Sequence, residues 1–301
     1  MPRERKLNMI LPKGRIQDKV LRILTRIGIE FILSDRSYRP ECSDPAITAK
    51  MLKPQNIPML VNLGRHDCGF TGYDCIVEQG ADVVELADLG FDPVEVVAAV
   101  PAKLAAKQAW RRQPVVVASE YQNLAKSFIE KNGLEAVFLR THGATEAMPP
   151  EDADIIIDNT ATGATLWHNQ LVIVERIMRS TTRFIGNPTS LQDPWKRNRL
   201  KEMVTLMRGV LMADSRVLLE MNVPSDRFEG VIAILPCMRA PTVSPLHNNS
   251  GFAVKAAVPI QEVPRLIPRL IAAGAVDILE YRLEKIVGAP AGAGMSEGEI
   301  F

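Results

Sequence analysis

Residues 154–166 read DIIIDNTATGATL, and the fold turns on how that stretch is read. Three isoleucines end in an acid, Asp158. The chain then passes through Asn159, Thr160, Ala161, Thr162 and Gly163 to Ala164, Thr165 and Leu166. If ADIIID is a buried strand and TLWHNQL starts a helix, NTATGA is the loop between a strand's carboxyl end and a helix N-terminus. Orphan backbone N–H groups converge at such a junction, and the helix dipole favours a negative ligand. Gly163 permits close backbone approach, and Thr160, Thr162 and Thr165 supply short hydroxyl donors. That chemistry suits a phosphate monoester. Asp158 would repel a phosphate touching it, but slightly further away it accepts hydrogen bonds from hydroxyls, so the pair points to a sugar phosphate. The same spacing also reads as a capped helix whose threonines satisfy local backbone groups, and spacing alone does not separate the two.

Working outward, strand and helix signals alternate. LNMILPKGR reads as a buried strand running into Pro-Lys-Gly-Arg, and Ile16, Val20, Leu24 and Ile27 then share one helical face. IEFIL, DCGF, DVVEL and VEVVAAVP are further strands, with helices near 55–63 and from Tyr73. This succession predicts an α/β body. A composition shift at AKLAAKQAWRRQP marks a crossing, after which VVVAS, a helix over YQNLAKSFIEKNG, AVFLR and ADIIID form a second lobe. The expected lobes are 1–102, completed by 178–213, and 103–177. Pro194 after Asp193 opens a long helix. Beyond it, 214–288 reads β-α-β-β-α-β, the ferredoxin-like order. The Gly/Ala-rich residues 289–301 are expected to be disordered.

The bulk numbers exclude several classes. With 47% hydrophobic and 24% charged residues the chain can bury real cores, and a net charge of +1 argues against broad capture of nucleic acid or an acidic membrane. Cys42, Cys68, Cys75 and Cys237 form no CxxC pair and read as reduced thiols of a cytoplasmic protein. His66, His142, His168 and His247 make no metal signature.

An acid at the end of an apolar strand followed by T-G-A-T-L resembles the ribose-phosphate loop of phosphoribosyltransferases. LPKGR (11–15), DCGFTGYD (67–74), VVELADLGF (83–91), TEAMPPEDADIIIDNTATGATL and MRAPTVSPL (238–246) occur together and in order. By these segments, over roughly residues 7–287, the chain is similar to the long form of the ATP phosphoribosyltransferase family. It departs from that pattern before the acidic strand, where it has PPEDA in place of Leu-Gly-Leu-Ala and the region is one residue shorter, and at Asn159, where an aliphatic residue is usual.

The resemblance implies a catalytic body like the type II periplasmic binding proteins and a C-terminal ferredoxin-like (ACT-like) domain. It implies transfer of the phosphoribosyl group of phosphoribosyl pyrophosphate to N1 of ATP, with Mg2+ held chiefly through substrate phosphates. Thr162, Gly163, Ala164 and Thr165 then fall to the 5-phosphate, Thr160 and Ala161 count among the substrate-binding residues, and Asp158 falls to the ribose hydroxyls, supported by Asp154 or Glu146. Asp154 reads equally well as an ordinary strand-start charge. Lys13 and Arg15, flanking Gly14, suit pyrophosphate oxygens. Thr71 and Gly72 shape a tight turn, and Tyr73 or Asp74 contacts the nucleotide, unless Asp74 is only a first-turn helix acid. His142 has no defined partner and reads as structural. Feedback inhibition by histidine is implied too, with Asn222, Thr242 and Ala273 as local candidates, in a homo-hexamer in equilibrium with a dimer. Packing of the β-α-β-β-α-β core explains those three residues as well. The competing class is a two-lobed binding protein without chemistry, in which an acid beside a phosphate loop has no task.

Overall fold

The computed structural model describes residues 5–34, 37–105, 109–111, 114–238 and 240–288. The chain forms two compact units, one up to Lys201 and one from Glu202. The elements of the first are, in chain order, β1 (Leu7–Pro12), α1 (Gln17–Arg26), β2 (Phe31–Ser34), β3 (Ser37–Cys42), β4 (Ile47–Leu52), α2 (Ile57–Asn62), β5 (Cys68–Gly72), α3 (Tyr73–Gln79), β6 (Val84–Asp88) and β7 (Val94–Pro101). There follow α4 (Ala102–Ala105), β8 (Val115–Ser119), α5 (Gln122–Asn132), β9 (Ala136–Arg140), β10 (Ile155–Thr160), α6 (Ala164–His168), β11 (Leu171–Ser180) and β12 (Thr182–Gly186). Helix α7 (Pro194–Asp214) carries the chain into the second unit.

Two five-stranded sheets organise the first unit. The first lobe has the order β4-β1-β5-β12-β6, the second β11-β7-β10-β8-β9. In the first, β1 runs parallel to β4 and β5, and β12 is antiparallel. In the second, β8, β9 and β10 are parallel, whereas β7 and β11 are antiparallel. Both therefore carry several strands whose carboxyl ends point one way, the side on which open α/β sheets bind ligands. The strands that are covered on both faces read as apolar runs: Ile155, Ile156 and Ile157 are fully buried, as are Val96 to Val100. Phe70 stacks on Phe184, centroids 4.5 Å apart, between neighbouring strands of the first lobe.

The sheet pairing corrects the lobe boundaries. Val94–Pro101 was expected to end the first lobe, but β7 pairs with β10 and β11 in the second. Likewise β11 stays with the second sheet through Ser180, so the return falls at Thr181 and not before residue 178. The two crossings are bonded to each other: Leu89 N–H donates to the Thr182 carbonyl and Thr182 N–H to the Phe91 carbonyl, both at 3.0 Å. Composition misled because the stretch after Ala102 joins β7 to β8, both strands of the second sheet, and its Trp110 is buried in that lobe's core. Two strands also went unread. β3 holds Pro40, which suits an edge strand. β4 buries only Ile47, Ala49 and Met51 in alternation. Strand β2, from IEFIL, pairs with β3 in a separate two-stranded ribbon.

The second unit contains β13 (Arg216–Pro224), α8 (Phe228–Ile232), β14 (Thr242–Pro245), β15 (Gly251–Pro259), α9 (Val263–Ala272) and β16 (Val276–Arg282). This is the expected β-α-β-β-α-β succession, in one antiparallel sheet of order β14-β15-β13-β16. Val217, Leu219, Met221 and Val223 alternate inward from β13 onto Val231, Leu266 and Leu270 of its helices. The unit begins inside α7, earlier than residue 214, because the chain end folds back on that helix: Ile286 N–H donates to the Gly209 carbonyl at 2.9 Å. The tail expected to be disordered, 289–301, lies outside the described residues.

Candidate active site

Each sheet of the first unit offers polar residues at its carboxyl strand ends. In the first lobe β1 ends in Lys13, Gly14 and Arg15, all exposed. Lys13 N–H donates to the Leu52 carbonyl at 2.7 Å, and its ammonium lies 4.8 Å from the Tyr38 ring centroid. In the second lobe β8 ends at Glu120, β9 at Arg140 and Thr141, and β10 at Asp158 and Asn159. A cavity of about 1000 Å³ lies between the lobes, bounded by Leu52 and Lys53 on one side and Glu120, Tyr121, Arg140 and His142 on the other. Lys50 adds a third full cation to the lining, against Glu78 and Glu120. Glu78 is already engaged: its carboxylate accepts the N–H groups of Asn123 and Leu124, each at 3.0 Å, capping the start of α5. The cleft thus keeps a positive surplus suited to polyphosphate.

Asp158 is half-buried at the end of β10 and accepts one hydrogen bond, from Asn159 N–H at 2.7 Å. Burial raises its pKa most, the Asn159 backbone amide opposes this, and the charges of Glu146 and Glu120 add to the rise, leaving it at about 6. Glu146 sits in the single helical turn Thr145–Ala147, pinned by a 2.7 Å bond between the Thr141 and Thr145 hydroxyls. Glu146 thus stands near enough to Asp158 for its charge to act there. Glu120 is a participant that the sequence reading missed. Its signal was available, an acid directly after the apolar run VVVAS.

The loop after Asp158 turns at Gly163, whose φ of 78° lies in the left-handed region open to glycine. Gly163 N–H donates to Thr160 Oγ1 at 2.9 Å, and Ala164 N–H reaches Thr162 Oγ1 at 3.4 Å. The loop's own hydroxyls thus hold these donors. Helix α6 has five residues, too short for the dipole the sequence reading invoked, so anion binding here depends on individual N–H and hydroxyl groups. Thr165 opens α6 and Ala161 borders a second cavity of about 550 Å³ with Arg179, Thr181 and Arg183. Trp167 is exposed beside them.

The GFTGYD segment has a different task from the one expected. Thr71 is fully buried and donates to the Pro54 carbonyl at 2.9 Å. Asp74 is buried too. Its Oδ2 accepts from the Tyr121 hydroxyl at 2.6 Å and its Oδ1 from the Ser180 hydroxyl at 2.6 Å, while its own N–H donates to Ser180 Oγ at 3.0 Å. Gly72 makes room for this: a Cβ there would collide with Asp74 Oδ1. Tyr73 donates its N–H to the Thr181 carbonyl and packs its ring under Arg183, 5.0 Å away. These residues fasten α3 of the first lobe to the second lobe. Burial, then the Asp74 carboxylate, pushes Tyr121 far above the ordinary phenol range, so it remains a donor. Burial likewise raises Cys75 to about 12, which leaves an inert thiol.

Asp154 is a second correction. Its carboxylate accepts Val116 N–H at 2.8 Å, stapling β10 to β8 at the opposite end of the strand from Asp158. Four strand residues span roughly 13 Å, beyond reach of a ribose held at Asp158. In the second unit Asn222 donates to Asp277 Oδ2 at 3.0 Å and pairs with Ala253, Thr242 lies on β14 opposite Lys255, and Ala273 follows α9. Asn222 and Thr242 are two strands apart and do not meet in one described cavity. Among the described residues no cluster of three His, Cys, Asp or Glu able to hold a metal occurs, and no helix is long and apolar enough to cross a membrane.

Two α/β lobes with a cationic cleft between them, and an acid followed by a hydroxyl-rich loop at one strand end of the second, form a site of the kind that handles phosphorylated, hydroxylated substrates. Comparison with known proteins gives the family. A model described as ATP phosphoribosyltransferase matches residues 53–209, and one described as HisG, C-terminal domain, matches residues 213–285. ATP phosphoribosyltransferase of Thermodesulfovibrio yellowstonii is 37% identical over 95% of this chain and 99% of its own. The enzyme of Chlorobium phaeovibrioides is 39% identical over 94% and 98%. Among solved structures, the ATP phosphoribosyl transferase (HisG:HisZ) complex from Thermotoga maritima superposes with a TM-score of 0.59 at 25% identity, over 67% of this chain and 98% of that one. The chain belongs to the ATP phosphoribosyltransferase family, in its long form, and is an enzyme of the first step of histidine biosynthesis.

Proposed function

We propose that the chain transfers the phosphoribosyl group of phosphoribosyl pyrophosphate to N1 of ATP, releasing pyrophosphate. The observation that carries this is Asp158 at the end of β10, followed at once by the Thr160–Thr165 loop. The body then works as a two-lobed fold of the type II periplasmic-binding-protein kind and the second unit as a ferredoxin-like domain, a reading its strand order supports.

Forming the N1–C1 bond breaks the C1–O bond to pyrophosphate, and positive charge builds on the ribose ring as that bond opens. No protein nucleophile is needed. Asp158, once ionised, holds the ribose hydroxyls and lies on the side where the positive charge grows. The loop hydroxyls of Thr160 and Thr162 and the Gly163 and Ala164 N–H groups exchange their mutual bonds for phosphate oxygens. Lys13, Arg15, Lys53 and Arg140 face the leaving anion and the triphosphate. Catalysis rests on positioning two anions and stabilising departing charge. Magnesium, held chiefly through substrate phosphates, would supply charge neutralisation for the departing pyrophosphate.

Histidine binding to the second unit, with feedback inhibition, completes the reading, as does a cytoplasmic homo-hexamer in equilibrium with a dimer. A domain match of its own over residues 213–285 supports a self-contained regulatory unit.

Purified full-length protein with ATP, phosphoribosyl pyrophosphate and magnesium, plus pyrophosphatase to pull the reaction, should accumulate the phosphoribosyl-ATP absorbance. Ligand binding with no turnover would overturn the transferase in favour of a two-lobed binding protein. Histidine should slow the reaction, and removing the second unit should abolish that sensitivity in a body that stays soluble.

A further inference from the structure

The network that fastens the lobes ends on the residue next to the proposed ribose acid. Asn159 is engaged through two different groups. Its backbone N–H donates to Asp158 Oδ1 at 2.7 Å, and its side-chain amide donates to the Tyr121 hydroxyl at 2.9 Å. Tyr121 in turn donates to Asp74, whose other oxygen accepts from Ser180. Ser119 holds Tyr121 from its own strand: Tyr121 N–H donates to Ser119 Oγ at 2.8 Å, and that hydroxyl donates to the Ile157 carbonyl at 2.6 Å. Asp74 stands on α3 of the first lobe, Tyr121 and Asn159 on the second, and Ser180 at the end of β11 beside the return crossing. A change in the angle between the lobes about the paired crossings would act on the Asp74–Tyr121 bond and, through Tyr121, on the Asn159 side chain, whose own peptide N–H bonds the Asp158 carboxylate.

We propose that Asn159 is a positioning residue that couples the arrangement of the two lobes to the orientation of the Asp158 carboxylate toward the ribose. The inference rests on the reading of Asp158 given above. Asn159 touches no reacting atom. It acts through Asp158, in the way a hinge contact completes a site on closure.

The charged groups facing Asp158 are Glu120 from the end of β8 and Glu146 from the turn after β9. The Asn159 backbone N–H is the hydrogen bond that opposes them. The groups facing the Asn159 side chain are Tyr121 and, behind it, Asp74. Freeing that side chain keeps the backbone N–H but leaves it less firmly aimed, which weakens the one influence that favours the ionised form. Asp158 then takes up its proton at higher pH.

The test uses the full-length protein. Asn159→Leu keeps the size and deletes the amide at an exposed position; Tyr121→Phe deletes only the hydroxyl. Each should lower kcat about tenfold and leave the KM for ATP within about twofold, the pattern of a lost transition-state interaction. The acid limb of kcat/KM should move to higher pH in both. The double variant should be no slower than the worse single, because both cut the same link. Acid limbs that stay in place, or losses that add, would overturn the coupling. A parent enzyme without turnover would overturn the Asp158 reading and this inference with it. A working parent, a dead Asp158→Ala and an unaffected Asn159→Leu would overturn the coupling alone.

Discussion

Two stretches of this chain look alike on paper and behave as opposites. GFTGYD (69–74) and DNTATGATL (158–166) both join a strand's carboxyl end to a helix through glycine, threonine and an acid. In the first the acid is buried and both carboxylate oxygens are occupied by Tyr121 and Ser180, while its threonine is fully enclosed. In the second the acid keeps one backbone hydrogen bond, faces two other carboxylates and is followed by a loop satisfied only by its own hydroxyls. A group with all its partners inside the fold is structure. A group held at an electrostatic cost, with valences left over, is the place for a ligand.

The contrast can be broken most directly at the two acids. Asp158→Ala should reduce kcat on the order of 100- to 1000-fold, the size of effect seen when one preorganised charge-stabilising group is lost. Its melting temperature should not fall. Parental turnover in that variant would remove Asp158 from the site. Asp74→Ala should act the other way round, losing about 3 kcal/mol of stability by stranding two buried hydroxyls. Denaturant unfolding monitored in the first unit reads that loss, and an unchanged midpoint would contradict the latch. Gly72→Ala should cost about 2 kcal/mol through the collision with Asp74, as overpacking does. Compensation by Asp74→Ala in the double variant would identify the collision as the cause.

Titration sharpens the same comparison. The pKa of Asp158 is raised to about 6 in the folded chain, against 3.8 for an unperturbed aspartate. The native state therefore holds this proton more tightly than the unfolded chain. The stabilisation belonging to the protonated form is present at low pH and is lost as pH rises through the window from 3.8 to about 6. Asp158→Asn should accordingly be more stable than the parent above pH 6, by on the order of 1 kcal/mol. The kcat/KM profile of the parent should show an acid limb near pH 6, reporting the free enzyme. A variant that is both slower and more stable is the signature of strain kept for function. The smallest effect is expected at Glu78→Gln. Weakening the cap on α5 should cost about 1 kcal/mol and leave the acid limb where it was.

Much of the architecture could be read from one dimension because it rests on local signals. The triple isoleucine of β10, the Asp193-Pro194 start of α7 and the alternating apolar residues of β13 all declare themselves within a few residues. The order β-α-β-β-α-β of the second unit followed from such signals alone. What failed was non-local. Val94–Pro101 reads as a strand, but nothing in it states which sheet it joins, and it joined the second. The half-exposed edge strand β4 and the proline-bearing β3 give weak signals because edges bury little. At the site, Glu120 went unnoticed since its importance comes from Asp158, thirty-eight positions away.

The sequence by itself determined most of the secondary elements, the α/β class of the body, the family, and the loop from Asp158 to Leu166 as the place to look. Covalent neighbours set strand ends, turns and hydroxyl-rich loops, so these were legible. Only the tertiary structure decided that Asp74 is a latch and Asp158 a free acid, that Asp154 is a staple, and that Asn159 joins the two carboxylates through Tyr121. The physical reason is that the role of a carboxylate is fixed by its burial and its hydrogen-bond partners, and here those partners come from distant parts of the chain.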